Sequence, residues 1–169
     1  PEYIEQQAVL TEKYNALGGL TYKARAHSCL KGLGFTEQQE RLPVSALSGG
    51  QRTKLSLGKL LLSSPDIMLL DEPTNHLDTA TLEWLEEFLG GYRNTVLVIS
   101  HDRYFLDKVT NKTLELEYSG AKLYGGNYTA YTEKKAADPA QLYRPANFVF
   151  IFVQINHSHG IPRSGDLAL

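Results

Sequence analysis

Disulfides, long apolar runs and a basic excess are all missing from this chain of 169 residues. Cys29 is its single cysteine, which excludes an intrachain disulfide framework. The longest purely apolar run, FVFIFV at 148–153, falls far short of the roughly 20 residues of a membrane helix. It has the length of a strand. With 17 basic against 19 acidic side chains and a formal charge of -2, the chain has no overall polybasic footprint, so nucleic-acid binding is not implied by composition. The chain opens on Pro1 inside a helix-like stretch, without a basic and apolar leader. It reads as a cut piece of a protein from a reducing, cytoplasmic setting. No G-x-x-x-x-G-K-[ST] string occurs either: the glycine pairs at 18–19, 49–50, 90–91 and 125–126 all lack the lysine that would follow. What is present is enough apolar material, 42% of residues, for a domain-sized hydrophobic core.

The pattern along the chain begins with helices. Ile4, Val9, Leu10 and Leu17 fall near helical spacing over residues 2–17, Gly18 and Gly19 end that element, and Thr21–Leu33 reads as a second helix closed by Gly34. After LPVSALSGG, a helix runs from about Gln51 to Leu62, where Ser63, Ser64 and Pro65 break it. DIMLLDE follows as a short strand. Its unbroken apolar stretch predicts burial on both faces and a central parallel position, although a buried helical turn has the same pattern. Asp78 is placed to cap a helix with the stripe Leu82, Leu85, Phe88 and Leu89, ended by Gly90 and Gly91. NTVLVIS is a second buried strand, and RYFLDKV another short helix. Strand and helix alternating at these intervals predict an α/β fold with a parallel sheet core and a helical subdomain. KTLELE and AKLYGG read as a closing hairpin or edge, and 127–137 as a helical connector. The tail from Asp138 combines Pro, Gly and aromatics without a period, and is read either as a poorly integrated extension or as an extra strand packed on the domain.

Two clusters carry chemistry. Asp71 and Glu72 end the first strand, and ligands of open α/β sheets bind beyond the carboxyl ends of strands. One carboxylate there is suited to hold Mg²⁺ and the other to take the proton of an attacking water; a helix cap and a surface acid are the plain alternative. Ser48, Gly49 and Gly50 supply a hydroxyl and unobstructed amides where a helix begins, an arrangement that attracts phosphate; standing alone, the stretch reads as a flexible turn. His101 leaves the second strand at the same sheet edge and is available as donor or acceptor. His157 and His159 have the spacing of a two-ligand metal clip but no further local ligands, so they are read as a solvent-facing pair. Trp84 is read as packed or interfacial.

Taken together, LSGGQ at 47–51, IMLLDEP at 67–73, TNHLD at 74–78 and VISHD at 98–102 resemble the second half of an ATP-binding-cassette nucleotide-binding domain. DEPTNHLD followed by SHDRYFLD is similar to the ABC-F group, soluble two-cassette proteins, many of which act on the ribosome. LGGLTYKARAHSCLKGLGF resembles the helical subdomain of that group, and GGNYTAYTEKKA the run into its inter-cassette linker. The resemblance covers residues 2–136.

It implies a P-loop NTPase-type cassette, divided into a partial helical subdomain at 1–46, the C-terminal part of the core with its signature helix at 47–126, the start of a linker at 127–137 and an atypical tail at 138–169. It implies ATP hydrolysis with ATP and Mg²⁺ as cofactors. Asp71 would be the Walker B carboxylate for Mg²⁺, Glu72 the general base and His101 the switch histidine. Asp78 would belong to the D-loop, and Ser48, Gly49, Gly50 and Gln51 to the signature motif that contacts ATP held by the opposite cassette. The implied partners are that second cassette and the ribosome. Because the lysine-bearing loop, the adenine-stacking aromatic and the Q-loop glutamine would all precede Pro1 on the family pattern, the sequence is read as a fragment lacking the Walker A part and inactive alone. A non-catalytic interaction domain, docking through the signature surface, is the alternative function.

Overall fold

Glycine decides how the first helices meet. The computed structural model describes residues 2–16, 18–117, 120–137 and 149–154, and the chain divides between Ser63 and Ser64 into two compact units. In the first, α1 (Glu2–Ala16) is followed by α2 (Tyr22–Gly32), the short α3 (Glu37–Glu40), a 3-10 turn at Val44–Ala46 and α4 (Gly49–Ser63). Leu33, Cys29, Phe35, Leu47 and Leu61 are its buried apolar residues. Gly58 of α4 is buried against them, and a Cβ there would lie 2.7 Å from Leu33 Cδ1 and 3.4 Å from Cys29 Sγ. A hydrogen atom at this position lets α2 and α4 approach closely. The helices read at 2–17, 21–33 and 51–62 are therefore all present, the last beginning two residues earlier than its sequence pattern.

The second unit carries the sheet. β1 (Ile67–Asp71), α5 (Thr79–Gly90) and β2 (Thr95–Ile99) form the βαβ unit, with β1 and β2 parallel and Asp71 in register with Ile99. α6 (Arg103–Val109), β3 (Lys112–Glu117), β4 (Gly120–Gly125), α7 (Tyr128–Ala136) and β5 (Val149–Gln154) complete it. Met68, Leu70, Val96 and Val98 alternate into the interior, where Leu85, Leu89, Phe105, Leu106 and Val109 are also buried. This is an α/β fold with a parallel-strand core and a helical subdomain.

One expectation fails at β1. Its apolar run predicted a central strand covered on both faces, but among the described residues the sheet order is β1-β2-β5-β3-β4, with β1 at its end. Ile67 and Leu69 are 61% and 69% exposed. An apolar run reports affinity for cover, and among the described residues cover lies only on the face of Met68 and Leu70.

β5 runs antiparallel between β2 and β3, with Leu97 opposite Val153 and Leu114 opposite Ile151. It belongs to the stretch for which an added strand and an unintegrated extension were both open. Residues 138–148 and 155–169, with His157 and His159, lie outside the described residues.

β3 inverts its own alternation. Leu114 and Leu116 would be drawn inward by hydrophobicity, yet Thr113 and Glu115 are the buried residues, both fully inaccessible. Glu115 tolerates this because its carboxylate receives Tyr124 Oη at 3.0 Å, Tyr131 Oη at 3.1 Å and the Lys135 ammonium. Burial alone would raise its pKa, but these donors outweigh it and hold the carboxyl below the usual range.

Candidate functional site

Each unit carries its own cluster of candidate residues. In the first unit, α4 begins at Ser48–Gln51 through a reciprocal cap: Gln51 N donates to Ser48 Oγ at 3.3 Å, while Ser48 N donates to Gln51 Oε1 at 2.8 Å. Ser-x-x-Gln is a capping box, which fixes the helix start rather than leaving a flexible turn. Leu47 anchors the loop in the interior while Ser48, Gly49 and Gly50 stand exposed. A Cβ at Gly49 or Gly50 would meet nothing within 4 Å. Packing inside the unit therefore does not require these glycines, and bare amides at a helix start suit an anion that approaches from outside.

In the second unit the carboxylates leave β1. Asp71 is its last residue and is exposed; Glu72 follows with φ +46°, in the left-handed region. That conformation costs a non-glycine residue about 1–2 kcal/mol. It is held by the Glu72 amide, which donates to the Ile99 carbonyl at 2.8 Å and so ties the end of β1 to β2. The Glu72 side chain turns toward the second strand's exit. Its Oε2 accepts from His101 N at 3.4 Å, and its Oε1 lies 3.4 Å from His101 Nε2. That second contact is not aligned as a hydrogen bond, so Oε1 is buried without a donor. An orphaned carboxylate oxygen is costly unless something binds it. The His101 ring is almost wholly exposed, open on the side facing away from Glu72.

Asp78 takes a local job as well. Its Oδ1 accepts from Thr81 N at 3.0 Å and caps α5, as the sequence pattern indicates. The loop between Glu72 and Asp78 is tight, with Asn75 N donating to Glu72 O at 3.2 Å and His76 at φ +66°.

Two residues escaped the sequence reading. Ser100 is buried between the motif loops: its hydroxyl lies 3.5 Å from Thr74 Oγ1 and accepts from Asp102 N at 3.2 Å. Asp102 caps α6 through Phe105 N at 3.1 Å. The second was legible, since Asp before a short amphipathic helix is a start signal; the first depends on a pairing across the sheet.

Asp71 and Glu72 have the chemistry that the implied Mg²⁺ requires. Mg²⁺ is typically held by one or two carboxylates with phosphate oxygens completing its shell, and Asp71 offers an exposed carboxylate while Glu72 holds one oxygen in reserve. Bound Mg-ATP would supply the phosphoryl group and neutralise its charge.

Comparison with known proteins bears on this assignment. Residues 2–75 match the model of the ABC transporter family. The chain is 52% identical over 128 residues to the putative ATP-binding protein YdiF of Bacillus subtilis, covering 76% of this chain and 20% of that protein. It is 44% identical over 135 residues to the energy-dependent translational throttle protein EttA of Mycobacterium tuberculosis, covering 80% and 24%. It is 43% identical over 131 residues to the tylosin resistance ATP-binding protein TlrC of Streptomyces fradiae, covering 78% and 24%. The chain thus spans about a fifth to a quarter of the length of these relatives. The family match overturns the expectation of a fragment lacking the Walker A part: it takes in the chain from its second residue, and a motif string does not measure how much of a domain is present. Among the described residues, no helix is long and apolar enough to cross a membrane. Together the family match over residues 2–75 and these relatives make the chain similar to ATP-binding proteins of the ABC type, on the α/β fold described above.

Proposed function

We propose that the chain takes part in ATP hydrolysis within a two-cassette ABC-F protein whose turnover is coupled to the ribosome. The observation that carries the hydrolytic reading is the junction of Glu72 and His101 at one sheet edge: a carboxylate in a strained backbone, one oxygen unsatisfied, 3.4 Å from an exposed imidazole. A half-buried carboxylate with one oxygen left without a donor can accept a proton from water. Asp71 then supports Mg²⁺, His101 orients the attacking water or the γ-phosphate, and Asp78 and the segment Ser48–Gln51 act where a second cassette meets the nucleotide. The ribosome as partner draws its support from the relatives named for translation and for tylosin resistance. The surroundings are cytoplasmic on this reading.

Single-turnover hydrolysis at saturating Mg-ATP, measured on the full-length protein, tests the assignment. Glu72→Gln keeps shape and removes the base, so nucleotide binding should survive while hydrolysis falls roughly 100-fold or more. Asp71→Asn should weaken Mg²⁺-dependent binding as well. Near-parent turnover in Glu72→Gln would remove Glu72 from the role of base.

A further inference from the structure

Helix α7 is capped twice, and the second cap comes from another helix. Asn127 Oδ1 accepts from Ala130 N at 3.1 Å, the usual local N-cap. The Asp107 carboxylate of α6 accepts from Thr129 N at 2.8 Å and also from Thr129 Oγ1. Asn127 Nδ2 donates to the Asp107 carbonyl at 3.3 Å, and the Arg103 guanidinium lies 5.5 Å from the centre of the Tyr128 ring. Apart from the local Asn127–Ala130 cap, these contacts join α6 to the start of α7, across 20 or more residues of sequence. A carboxylate at a helix start is also favoured by the helix dipole.

The other end of α6 adjoins the candidate catalytic loop. Asp102, its N-cap, directly follows His101 and is held by Ser100 Oγ. Phe105, Leu106 and Val109 bury one face of α6. Seven residues of helix span about 10 Å, so the element is short, stiff and anchored at both ends. Beyond it, the Lys135 ammonium on buried Glu115 fastens the far end of α7 to β3.

We propose that α6 is a lever that transmits displacement of the His101–Asp102 segment to α7, with Asp107 as the positioning residue at the joint. Rocking about the buried Phe105 and Leu106 moves Asp107, and the Thr129 amide and hydroxyl follow it. The stimulus at His101 rests on the function proposed above; the mechanical joint does not, and it is tested without nucleotide.

Coupling between two sites is reciprocal, so loosening the joint from the α7 side must loosen the histidine side. Native-state amide exchange of the whole chain reads this directly. Thr129→Val removes the hydroxyl donor and keeps the volume; it should speed exchange of the Phe105 and Leu106 amides, the first bonded to the Asp102 carboxylate and the second to its carbonyl, at least about five-fold. Thr129→Ser keeps the donor and should stay within about two-fold of the parent. Tyr92→Phe removes the bond from Tyr92 Oη to the Pro65 carbonyl in the same unit, a bond that involves no residue of α6 or α7, and serves as the control for general loosening. Faster exchange at Phe105 and Leu106 in Thr129→Val, absent in Thr129→Ser and Tyr92→Phe, supports the lever. Exchange changes confined to α7, or an equal rise in Tyr92→Phe, would overturn it. Loss of ATP hydrolysis as a function of this protein would leave the exchange result unaltered.

Discussion

His101 Nε2 lies 3.4 Å from Glu72 Oε1, an oxygen that is buried and receives no hydrogen bond. The same glutamate carries a left-handed backbone, so two separate costs meet at one residue. Strain and an unsatisfied carboxylate at a strand exit are a cost to stability, and they support the proposed role of Glu72 in chemistry.

Glu72→Gly should therefore stabilise the fold while abolishing the carboxylate. Relief of the positive φ is worth about 1–2 kcal/mol and removal of the orphan oxygen adds to it, against about 1 kcal/mol of extra chain entropy for glycine. The net expectation is a gain of about 1 kcal/mol in urea unfolding. A loss of 1 kcal/mol or more would show that the Glu72 side chain is itself a structural support.

The glycines of α4 should separate by position. Gly58→Val forces a branched side chain against Leu33 Cδ1, 2.7 Å from the first added carbon, and should cost about 2–3 kcal/mol through overpacking. Gly50→Ala adds its carbon into open space, so helix propensity leaves stability unchanged or raises it by up to about 1 kcal/mol. Far-UV circular dichroism of both variants in urea checks the contrast; equal effects would contradict the close α2 to α4 packing.

Much of this arrangement follows from period and caps. The alternation of strand and helix from Ile67 to Val109, the Asp78 cap and the Gly91 stop are all visible in the residues. The edge position of β1 was not, because an apolar run states what a strand prefers on its faces and not which neighbours it has. Ser48 and Gln51 show the opposite case: the capping box was written in LSGGQ, but a glycine pair weighs toward a turn when propensity alone is considered. Glu115 was beyond reach. Its burial is made tolerable by Tyr124, Tyr131 and Lys135, which arrive from β4 and α7, and a carboxylate's partners 9–20 residues away leave no local pattern.

That cluster predicts a pH response. Hydrogen bonds to Lys135, Tyr124 and Tyr131 outweigh burial and hold the Glu115 carboxyl below its ordinary value of 4.5, while burial pushes Tyr131 up to about 12. A folded pKa below the unfolded one contributes stability above the unfolded value and loses it as pH falls through the folded value. Stability should thus drop on acidification below about pH 4.5, and Glu115→Gln should flatten this limb of the profile. Lys135→Met leaves the buried carboxylate without its cation and should cost about 3 kcal/mol at pH 7. Thermal unfolding across pH 3–8 measures both effects; an unchanged acid limb in Glu115→Gln would place the titrating group elsewhere.

β5 offers the last test, because its backbone stands between two strands that lack each other. Val98 and Thr113 both pair with Phe152, on opposite sides of the same strand. Proline at Phe152 removes a ladder donor in the middle of a sheet, where proline is not accommodated, and should cost about 3 kcal/mol or more. Ending the chain after Ala137 goes further, since it exposes the pairing edges of β2 and β3 together and leaves the parallel pair β1-β2 separated from the hairpin β3-β4. The expected result is a lowered midpoint, a broader transition and a greater tendency to associate through the open edges. Differential scanning calorimetry with light scattering, on the full chain, the Phe152→Pro variant and the shortened chain, distinguishes the cases. Coincident transitions for all three would show that the β5 pairings contribute nothing to the stability of the sheet.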